Sequence, residues 1–423
     1  IDHSVCRAVI ISPEFDQTLA DIRDRIRKVE QFISVSTSPE GGMRSYETVL
    51  QTGTEQFGDA DRKPDDTAWI FYTSGTTGQS KGAMLSHRSL MAMTWTFFVD
   101  MADSFTSDEV QLHAAPLSHG SGLYALPNVA KAATHVISDK SFDANEILQL
   151  IQDQRVTNFF AAPTMIKRLV ACTSFDRFDV SSLKTVVYGG APMLVDDLLD
   201  AMGKLGPCLA QLYGQGESPM TITYLSHEDH VLDGTPEQMK RLGSAGYART
   251  GVEVAVVDAH DTPMPPGQMG EIVTRSDLVM KGYWNNPQAT EETLRNGWLH
   301  TGDVGYLDER GYLFLMDRSK DMIISGGENI YPREIEEAII QHPAVREVAV
   351  IGIPDAEWGE AIKAVVALVP GGSATEEELI AFCKEQIASY KKPKSIDFID
   401  ELPKNNYGKI VKRELRDRYW SDR

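Results

Sequence analysis

The sequence predicts an α/β protein with a large multi-layer N-terminal domain, a β-rich subdomain within it, and a small α+β C-terminal domain. Strand-like and helix-like segments alternate from residue 1 to about residue 225, which is the pattern of strands and helices packed in layers. From about residue 242 to residue 317, short alternating strands are separated by Gly/Pro turns. Residues 322–423 carry their own mixture of helices and strands, typical of a small separate domain.

In the first domain, short apolar or alternating runs of residues predict strands, and amphipathic runs predict helices. A strand, a helix and a second strand are predicted at Cys6–Ile11, Leu19–Val29 and Gln31–Val35. The apolar strand Ala68–Phe71 precedes a polar loop and then a helix-like run from Ser86. Two strand–helix pairs follow, Asn158–Ala161 with Thr164–Val170 and Thr185–Tyr188 with Val195–Leu205.

The rest of the chain divides at a short charged junction. Before it, the β-rich subdomain has strands at Val252–Asp258, Gly270–Thr274 and Tyr312–Met316. The junction, residues 318–321, separates a domain of residues 1–317 from one of residues 322–423. A helix after it begins with Pro332, since proline favours the first helical turn. The predicted elements there are Pro332–Gln341, Val345–Ile353, Ile362–Val369 and Glu376–Ala388.

Composition narrows the class of protein. The chain has 423 residues and a formal net charge of −20, which argues against nucleic acid or an anionic membrane as a partner. The four cysteines are scattered without metal-type or disulfide-type spacing, which suits a reducing cytoplasm. No apolar run approaches the roughly 20 residues that span a bilayer. We therefore expect a cytoplasmic protein without a transmembrane segment.

The start of the chain is unusual. It begins with Ile1 and runs within a few residues into the first predicted strand. We therefore expect an N-terminal portion of the large domain to be absent from this sequence.

The segment Tyr72–Gly82, with sequence YTSGTTGQSKG, is the strongest functional signal. Its glycines allow backbone N–H groups to converge on an anion, its hydroxyls add donors, and Lys81 supplies a positive charge suited to phosphate. A flexible linker would need neither a lysine nor flanking strand-like residues. A Walker-type loop needs Gly-Lys-Ser/Thr in succession, and here Ser80 precedes Lys81 while Gly82 follows it. The segment is therefore predicted to be a phosphate loop of another kind.

Four further segments are weaker signals, since each alone is more typical of an ordinary turn or a solvated surface. Tyr213–Glu217 is a Gly-rich turn after a strand, with a ring that could stack on a base and a carboxylate that could hold Mg²⁺. Tyr188–Pro192 closes a strand with small residues. The other two are His300–Asp303 with Arg318, suited to ribose hydroxyls, and Pro403–Lys409, a polar loop before a basic helix.

Taken together with the phosphate loop, the order of these motifs resembles the adenylate-forming superfamily, which comprises acyl-CoA synthetases, luciferases and adenylation domains of peptide synthetases. The resemblance extends from about Cys6 to the C-terminus. Its most specific parts are Tyr72–Gly82, Tyr213–Glu217, Trp298–Asp303, Arg318–Pro332 and Pro403–Lys409. It implies an ATP-dependent acyl-CoA synthetase, an acid–thiol ligase that uses Mg²⁺ and takes coenzyme A as co-substrate.

The resemblance implies roles in holding ATP for matching positions of this sequence. Lys81 and Thr73, Ser74, Gly75, Thr76, Thr77 and Gly78 would wrap the β- and γ-phosphates. Gly189, Gly190, Ala191 and Pro192 would lie on one face of adenine, with Tyr213 on the other, and Gly214 would also belong to the nucleotide site. Asp303 and Arg318 would bind the ribose hydroxyls, and Glu217 would ligate Mg²⁺.

For the acid and the second half-reaction, the resemblance implies a further set of residues. Lys409 would reach the reacting carboxylate and the α-phosphate, where a positioned ammonium stabilises developing charge. Lys320 matches the hinge about which the C-terminal domain would swing, and Gly326 and Gly327 would line the path of the CoA thiol. His119, Gly120 and Leu212 would line the acyl pocket, with a structural role for His119 equally open.

Two departures from the family pattern stand out. Gly216 occupies the position where the family usually has a threonine that contacts the α-phosphate. Loss of that hydrogen bond costs about 0.5–1.5 kcal/mol, so we expect weaker handling of ATP. The second departure is the N-terminal part of the usual large domain, which we expect to be absent from this sequence.

The predicted reaction joins a carboxylic acid, in the first place a fatty acid, to CoA through an acyl-adenylate. One alternative is an enzyme that loads the acyl group onto a carrier-protein thiol, and another is a non-catalytic nucleotide-binding relative. The sequence does not name the acid and leaves the oligomeric state open, including a homo-oligomer.

Overall fold

A computed structural model describes residues 1–36, 38–39, 41–54, 56, 58–73, 80–101, 104–138, 142–191, 193–318, 321–326, 328–404 and 410–420, with only the backbone of Asp317, Arg318 and Asn329. The chain forms two compact units. The first comprises Ile1–His87 and Lys281–Pro287, and the second comprises Arg88–Met280 and Gln288–Arg423.

The first unit contains a small parallel sheet and a separate hairpin. The sheet has the order β1-β2-β3, and Leu19, Ile26 and Val29 form its small apolar core. Strands β4 and β5 pair antiparallel in the hairpin. The elements of this unit are β1 (Ala8–Ile11), α1 (Asp16–Ile22), β2 (Gln31–Ser34), β3 (Arg44–Ser45), α2 (Tyr46–Thr52), β4 (Thr67–Thr73) and β5 (Lys81–Ser86).

Strand β5, which the sequence did not predict, lies between the glycine-rich loop and the helix that begins at His87, close to the predicted start at Ser86. Lys81 pairs with Thr73, so the loop connects two paired strands and is shorter than Tyr72–Gly82. On its other edge, β5 lies beside residues 282–284. The Met84 N–H donates to the Gly282 carbonyl, and the Trp284 N–H donates to the Gly82 carbonyl. Residues on both faces of β5 are buried, so the strand lacks the alternating pattern that would reveal it in the sequence.

The second unit is built around a seven-stranded sheet of order β12-β11-β10-β9-β8-β6-β7, parallel from β10 to β7. Strands β11 and β12 add antiparallel. Its elements are α3 (His87–Asp100), β6 (Val110–His113), α4 (Gly120–Ala130), β7 (Thr134–Ile137), α5 (Ala144–Gln154), β8 (Asn158–Ala161), α6 (Pro163–Val170), β9 (Thr185–Gly189), α7 (Val195–Leu205), β10 (Leu209–Gln215), β11 (Ser218–Leu225), α8 (Pro236–Arg241) and β12 (Tyr247–Ala248).

The two faces of this sheet carry separate apolar clusters. On one face, Leu112, Phe159, Val186 and Leu209 pack with residues of α5, α6 and α7. On the other face lies an aromatic cluster built around Phe97, Tyr124, Phe160 and Leu212, with α3 and α4 supplying the first two rings. Neighbouring residues of one strand, such as Phe159 and Phe160, therefore serve different layers.

The remaining strands form two five-stranded sheets. One has the order β13-β14-β16-β15 with β17 beside β16, and the other has β19-β18-β21-β20 with β22 beside β21. Their elements are β13 (Glu253–Val257), β14 (Gly270–Arg275), α9 (Pro287–Thr293), β15 (Leu294–Arg295), β16 (Trp298–Leu307), β17 (Leu313–Arg318), β18 (Ile323–Ser325), β19 (Glu328–Ile330), α10 (Pro332–Ile339), β20 (Val345–Asp355), β21 (Gly359–Leu368), α11 (Glu376–Gln386), β22 (Ser395–Phe398) and α12 (Lys412–Trp420).

These layers confirm the predicted α/β class and the β-rich segment that precedes the C-terminal region. The predicted boundaries at residues 317 and 322 stay a prediction. Within the described ranges, none of the helices combines the length and the apolar character needed to cross a membrane.

Candidate active site

The side chains of Tyr213, Gln215 and Asp303 meet in one buried group, which we call the Asp303 cluster. The Tyr213 hydroxyl donates to Asp303 Oδ2 at 2.7 Å, and the Gln215 amide donates to the same oxygen at 2.6 Å. The amide also donates to the Thr301 carbonyl at 2.8 Å. Asp303 is 9% exposed, so the two donors stabilise a carboxylate that has little contact with water.

Strand β10 supplies the two donors because Tyr213 and Gln215 are two residues apart in one strand. Residues at that spacing lie on the same face. The strand then turns at Gly216–Glu217 into β11. The motif predicted as a nucleotide turn is therefore the tip of a β-hairpin, with Gly214 inside its first strand.

In strand β16, Asp303 directly follows a local distortion of the backbone at a glycine. Gly302 has φ +68°, a left-handed conformation that favours glycine, and its N–H donates to Glu271 Oε1 at 3.1 Å. The other oxygen of Glu271 contacts His300 Nδ1 at 2.9 Å. Thr301 Oγ1 donates to the Ile272 carbonyl and accepts from the Asp303 N–H. Strand β14 thus holds the segment His300–Asp303 in place.

The structure also brings the two predicted ribose residues together in the backbone. Asp303 on β16 and Arg318 on β17 are direct cross-strand partners. Side chains of such partners start about 5 Å apart at Cβ. The side chain of Arg318 lies outside the described part of the structure.

Glu217, the predicted Mg²⁺ ligand, lies at the hairpin tip and is 9% exposed. Its carbonyl accepts the Met280 N–H at 2.8 Å. Among the described residues, no group of three or more His, Cys, Asp or Glu side chains could hold a metal ion. A single carboxylate fits Mg²⁺, because this ion is usually bound by one or two carboxylates together with substrate phosphates and water.

Three predicted residues of the adenine and acyl regions converge on Phe160. A Cβ on Gly120 would lie 2.7 Å from Cε1 of this ring. A Cβ on Gly189 would lie 2.4 Å from the Leu212 carbonyl oxygen and 3.7 Å from Cε2 of the ring. Leu212 itself belongs to the aromatic cluster. Small residues at these positions therefore permit close packing of β9, β10 and α4 around Phe160.

His119 is half-buried and occupies the N-cap position of α4, immediately before Gly120, without a side-chain capping bond. Gly190 is exposed, and Ala191 follows it, half-buried, after the end of β9. Gly326 lies in the C-terminal region, where its N–H donates to the Trp358 carbonyl at 2.9 Å.

Thr73 and Lys81 belong to the first unit, where they end β4 and begin β5. The ammonium of Lys81 lies over the Tyr283 ring at 5.0 Å from its centroid. The predicted residues that lie outside the described part of the structure are Ser74, Gly75, Thr76, Thr77, Gly78, Pro192, Lys320, Gly327 and Lys409.

Sequence reasoning missed Gln215, Glu271 and Phe160. Gln215 could have been found from its spacing, since it lies two residues after Tyr213 in a predicted strand and so shares its face. Glu271 and Phe160 gave no signal. Glu271 acts across a strand pairing, and Phe160 stands in an uninterrupted apolar run whose two faces cannot be told apart from the sequence.

Comparison with known proteins identifies the family of the chain. The family model described as AMP-binding enzyme matches residues 1–284, and the model described as AMP-binding enzyme C-terminal domain matches residues 334–409. A feruloyl-CoA synthase from Amycolatopsis sp. is 39% identical over 419 residues, covering 96% of this chain and 82% of that protein.

Two further relatives support the assignment. The medium/long-chain-fatty-acid–CoA ligase FadD8 of Mycobacterium tuberculosis is 34% identical over 422 residues, which cover 97% of this chain and 72% of the ligase. The crystal structure of ATP-bound MatB from Rhodopseudomonas palustris superposes with a TM-score of 0.86 at 34% identity, covering 99% of this chain and 80% of MatB. The chain therefore belongs to the AMP-binding enzyme family and is of its acyl-CoA synthetase type, as the resemblance predicted.

Proposed function

We propose that this enzyme joins a carboxylic acid to CoA in two steps, using ATP. A carboxylate oxygen attacks the α-phosphorus, the bond to the pyrophosphate oxygen breaks, and an acyl-adenylate and pyrophosphate form. The CoA thiol then attacks the acyl carbon, loses its proton and displaces AMP. The Asp303 cluster is the observation that carries the proposal, because two hydrogen-bond donors hold a buried carboxylate ready for a polar ligand.

For ATP, we assign the ribose hydroxyls to Asp303 and Arg318, whose cross-strand pairing supports a joint role. Adenine would lie between Gly189–Pro192 and the Tyr213 ring. Thr73–Gly78 and Lys81 would hold the β- and γ-phosphates. Glu217 would bind Mg²⁺, which when present neutralises phosphate charge.

For the acid and CoA, the roles stay as the resemblance implies them. Lys409 would stabilise charge between the carboxylate and the α-phosphate. His119, Gly120 and Leu212 would border the acid, and the packing of Gly120 and Leu212 with Phe160 supports this assignment. Gly326 and Gly327 would line the thiol path after a swing of the C-terminal domain about Lys320. The free cysteines suit a cytoplasmic location.

The function is tested by pyrophosphate release over a panel of aromatic and alkyl carboxylic acids, each with and without CoA. We expect acid-dependent pyrophosphate from ATP, and equal amounts of AMP and acyl-CoA once CoA is present. Transfer to a carrier protein but not to CoA would favour the carrier-loading alternative. Absence of pyrophosphate with every acid would leave only a nucleotide-binding role.

The two lysines allow the half-reactions to be separated. Removing one preorganised charge-stabilising donor typically costs 100- to 1,000-fold in rate, so Lys409→Ala should reduce acyl-adenylate formation by about that factor. Thioester formation from supplied acyl-adenylate should be largely spared. Lys81→Ala should likewise weaken only adenylation, because its partner is the departing pyrophosphate. Equal loss in both half-reactions would contradict these roles.

A further inference from the structure

Several polar atoms in the described part of the second unit are buried without a hydrogen-bond partner, and two of them belong to side chains that approach α3 beside the aromatic cluster. One is the hydroxyl of Tyr124, a residue only 1% exposed. The other is Nη2 of Arg249, a residue 3% exposed. A buried polar group without a partner is strongly unfavourable, so both atoms call for a polar group that the protein itself does not supply.

The two side chains approach the same part of α3. The Phe97 ring contacts the Tyr124 ring edge-on, with centroids 5.4 Å apart. Arg249 Nε donates to Asp100 Oδ2 at 2.8 Å. Phe97 and Asp100 are three residues apart on α3 and therefore lie on one side of the helix. Burial raises the pKa of the Tyr124 hydroxyl, Glu109 raises it further, and the charge of Arg249 is near enough to oppose the rise.

The other two nitrogens of the Arg249 guanidinium, Nε and Nη1, each have a hydrogen-bond partner, so only Nη2 lacks one. Nη1 donates to the Met220 carbonyl at 3.1 Å, and Asp100 balances the positive charge. Nη2 is thus a donor without an acceptor beside a neutral ion pair. An uncharged oxygen of a ligand would satisfy this donor and the Tyr124 hydroxyl together, whereas an alkyl group would satisfy neither.

Tyr124 also lies one helical turn beyond the residues proposed to border the acid. Gly120 and Tyr124 are four residues apart on α4 and so share a face, with Tyr124 about 6 Å further along the axis. Gly120 packs on Phe160, whose ring is 6.4 Å from that of Tyr124. Gly120 and Tyr124 therefore both lie beside the Phe160 ring, with Tyr124 on the side away from His119.

We propose that Tyr124 and Arg249 recognise an oxygen at the far end of the acid, so that the preferred substrates are aromatic acids with a ring hydroxyl or a similar oxygen. The inference rests on the proposed function and names the substrate class of that same site. The aromatic cluster accounts for the ring, since aromatic groups pack favourably edge-on and offset against one another. A site built to bind a substrate hydroxyl rejects the analogue that lacks it, because its own polar groups are then left unpaired.

The test compares kcat/KM for 4-hydroxycinnamate with that for cinnamate, measured by pyrophosphate release with ATP. The wild-type protein should prefer the hydroxylated acid by roughly 10- to 100-fold. Tyr124→Phe keeps the ring and removes only the hydroxyl, so it should lower this preference at least several-fold while activity with cinnamate is retained. A ratio near one in the wild type, as expected if water already satisfies both atoms, would overturn the inference.

Tyr188→Phe is a matched control. Tyr188 is as buried as Tyr124, but its hydroxyl already has a partner, His230 Nε2 at 2.9 Å. Its removal should leave the acid preference unchanged. If Tyr124→Phe also leaves the preference unchanged, the assignment of Tyr124 is wrong. Turnover of alkyl acids but of neither cinnamate would overturn the inference and leave the proposed function standing, whereas no turnover with any acid would count against that function as well.

Discussion

The Asp303 cluster and the aromatic cluster are both buried, but they differ in how their polar atoms are satisfied. In the Asp303 cluster, the tyrosine hydroxyl and the glutamine amide already donate to one carboxylate oxygen. In the aromatic cluster, a tyrosine hydroxyl and a guanidinium N–H have no partner. The difference suggests that the nucleotide region is arranged before its ligand binds, whereas the acid region is completed by its ligand.

The two clusters should differ in how they contribute to the free energy of binding. A ligand that binds to a prearranged group loses little free energy in ordering that group. The affinity of the nucleotide region should therefore depend little on chemical changes in other parts of the ligand. A region with unpaired polar atoms discriminates among ligands, because only some of them supply the missing partner. ATP is a single invariant substrate, and acids are many, so this division suits an enzyme that must select its acid.

The largest expected effect comes from breaking the nucleotide region outright. Asp303→Ala removes the proposed acceptor of the ribose hydroxyls, and hydrogen bonds to charged groups contribute about 1.5–3 kcal/mol each. We expect the KM for ATP to rise by roughly 100-fold, with the preference between acids unchanged. Steady-state kinetics with ATP varied provide the measurement. A rise of less than about threefold would show that Asp303 does not hold the nucleotide.

Low pH should lower the free energy of unfolding through His113, which lies on the aromatic side of the seven-stranded sheet. This histidine contacts Ser121 Oγ on α4 at 2.8 Å and His135 Nδ1 at 2.9 Å. Burial, and then the neighbouring His135, lowers the pKa of His113 to about 4. The native imidazole stays neutral while the unfolded one is protonated below about pH 6.5. Its contribution to stability is therefore complete above pH 6.5 and is lost as the pH falls towards 4.

Urea unfolding at pH 7 and pH 5 measures this effect. Between pH 7 and pH 5, His113 should account for roughly 2 kcal/mol of the fall in unfolding free energy. His113→Gln retains a polar side chain that does not titrate, so the difference between the two pH values should shrink in this variant. An unchanged difference would show that His113 is not the titrating group.

A smaller effect is expected from removing only the support of Asp303. Gln215→Met keeps the length of the side chain but deletes the donor to Asp303 and Thr301. We expect the KM for ATP to rise about tenfold. The KM for 3′-deoxy-ATP should rise less, because that analogue lacks one of the hydroxyls that a well-oriented carboxylate would bind.

Gln211→Met is the matched control, since Gln211 lies four residues earlier on the same face of β10 and makes no described bond to Asp303. It should change neither value. If Gln215→Met raised both KM values equally, Gln215 would be supporting the hairpin in general and not the ribose site.

The smallest expected effect is a gain. Gly216 is not among the described glycines with a left-handed φ, so a side chain meets no strain of that kind there. Gly216→Thr supplies the hydroxyl that the family usually places near the α-phosphate. One added hydrogen bond of about 0.5–1.5 kcal/mol should raise kcat/KM for ATP between about twofold and tenfold. No gain, or a loss, would show that another group already fills that role.

The sequence predicted those elements whose signals are local in the chain and missed those that depend on contacts between distant residues. Strand Asn158–Ala161 and helix Val195–Leu205 were predicted with their observed bounds, because a short apolar run and an amphipathic run are local signals. Strand β5 was missed because residues on both of its faces are buried and one of its neighbours, residues 282–284, is distant in sequence.

The same distinction applies to the site. Tyr213 and Asp303 were singled out from motifs, and the structure adds that they are hydrogen-bonded to each other. Tyr124 and Arg249 could not be identified from the sequence. What marks them is an absent partner in the packed interior, and neither residue type nor spacing encodes that.

The most direct test of the account measures two selectivity ratios in three proteins by pyrophosphate release. The ratios are kcat/KM for ATP over 3′-deoxy-ATP and for 4-hydroxycinnamate over cinnamate, in the wild type, Gln215→Met and Tyr124→Phe. We predict that Gln215→Met lowers only the first ratio and that Tyr124→Phe lowers only the second. Equal changes of both ratios in either variant would contradict the division between a prearranged nucleotide region and a ligand-completed acid region.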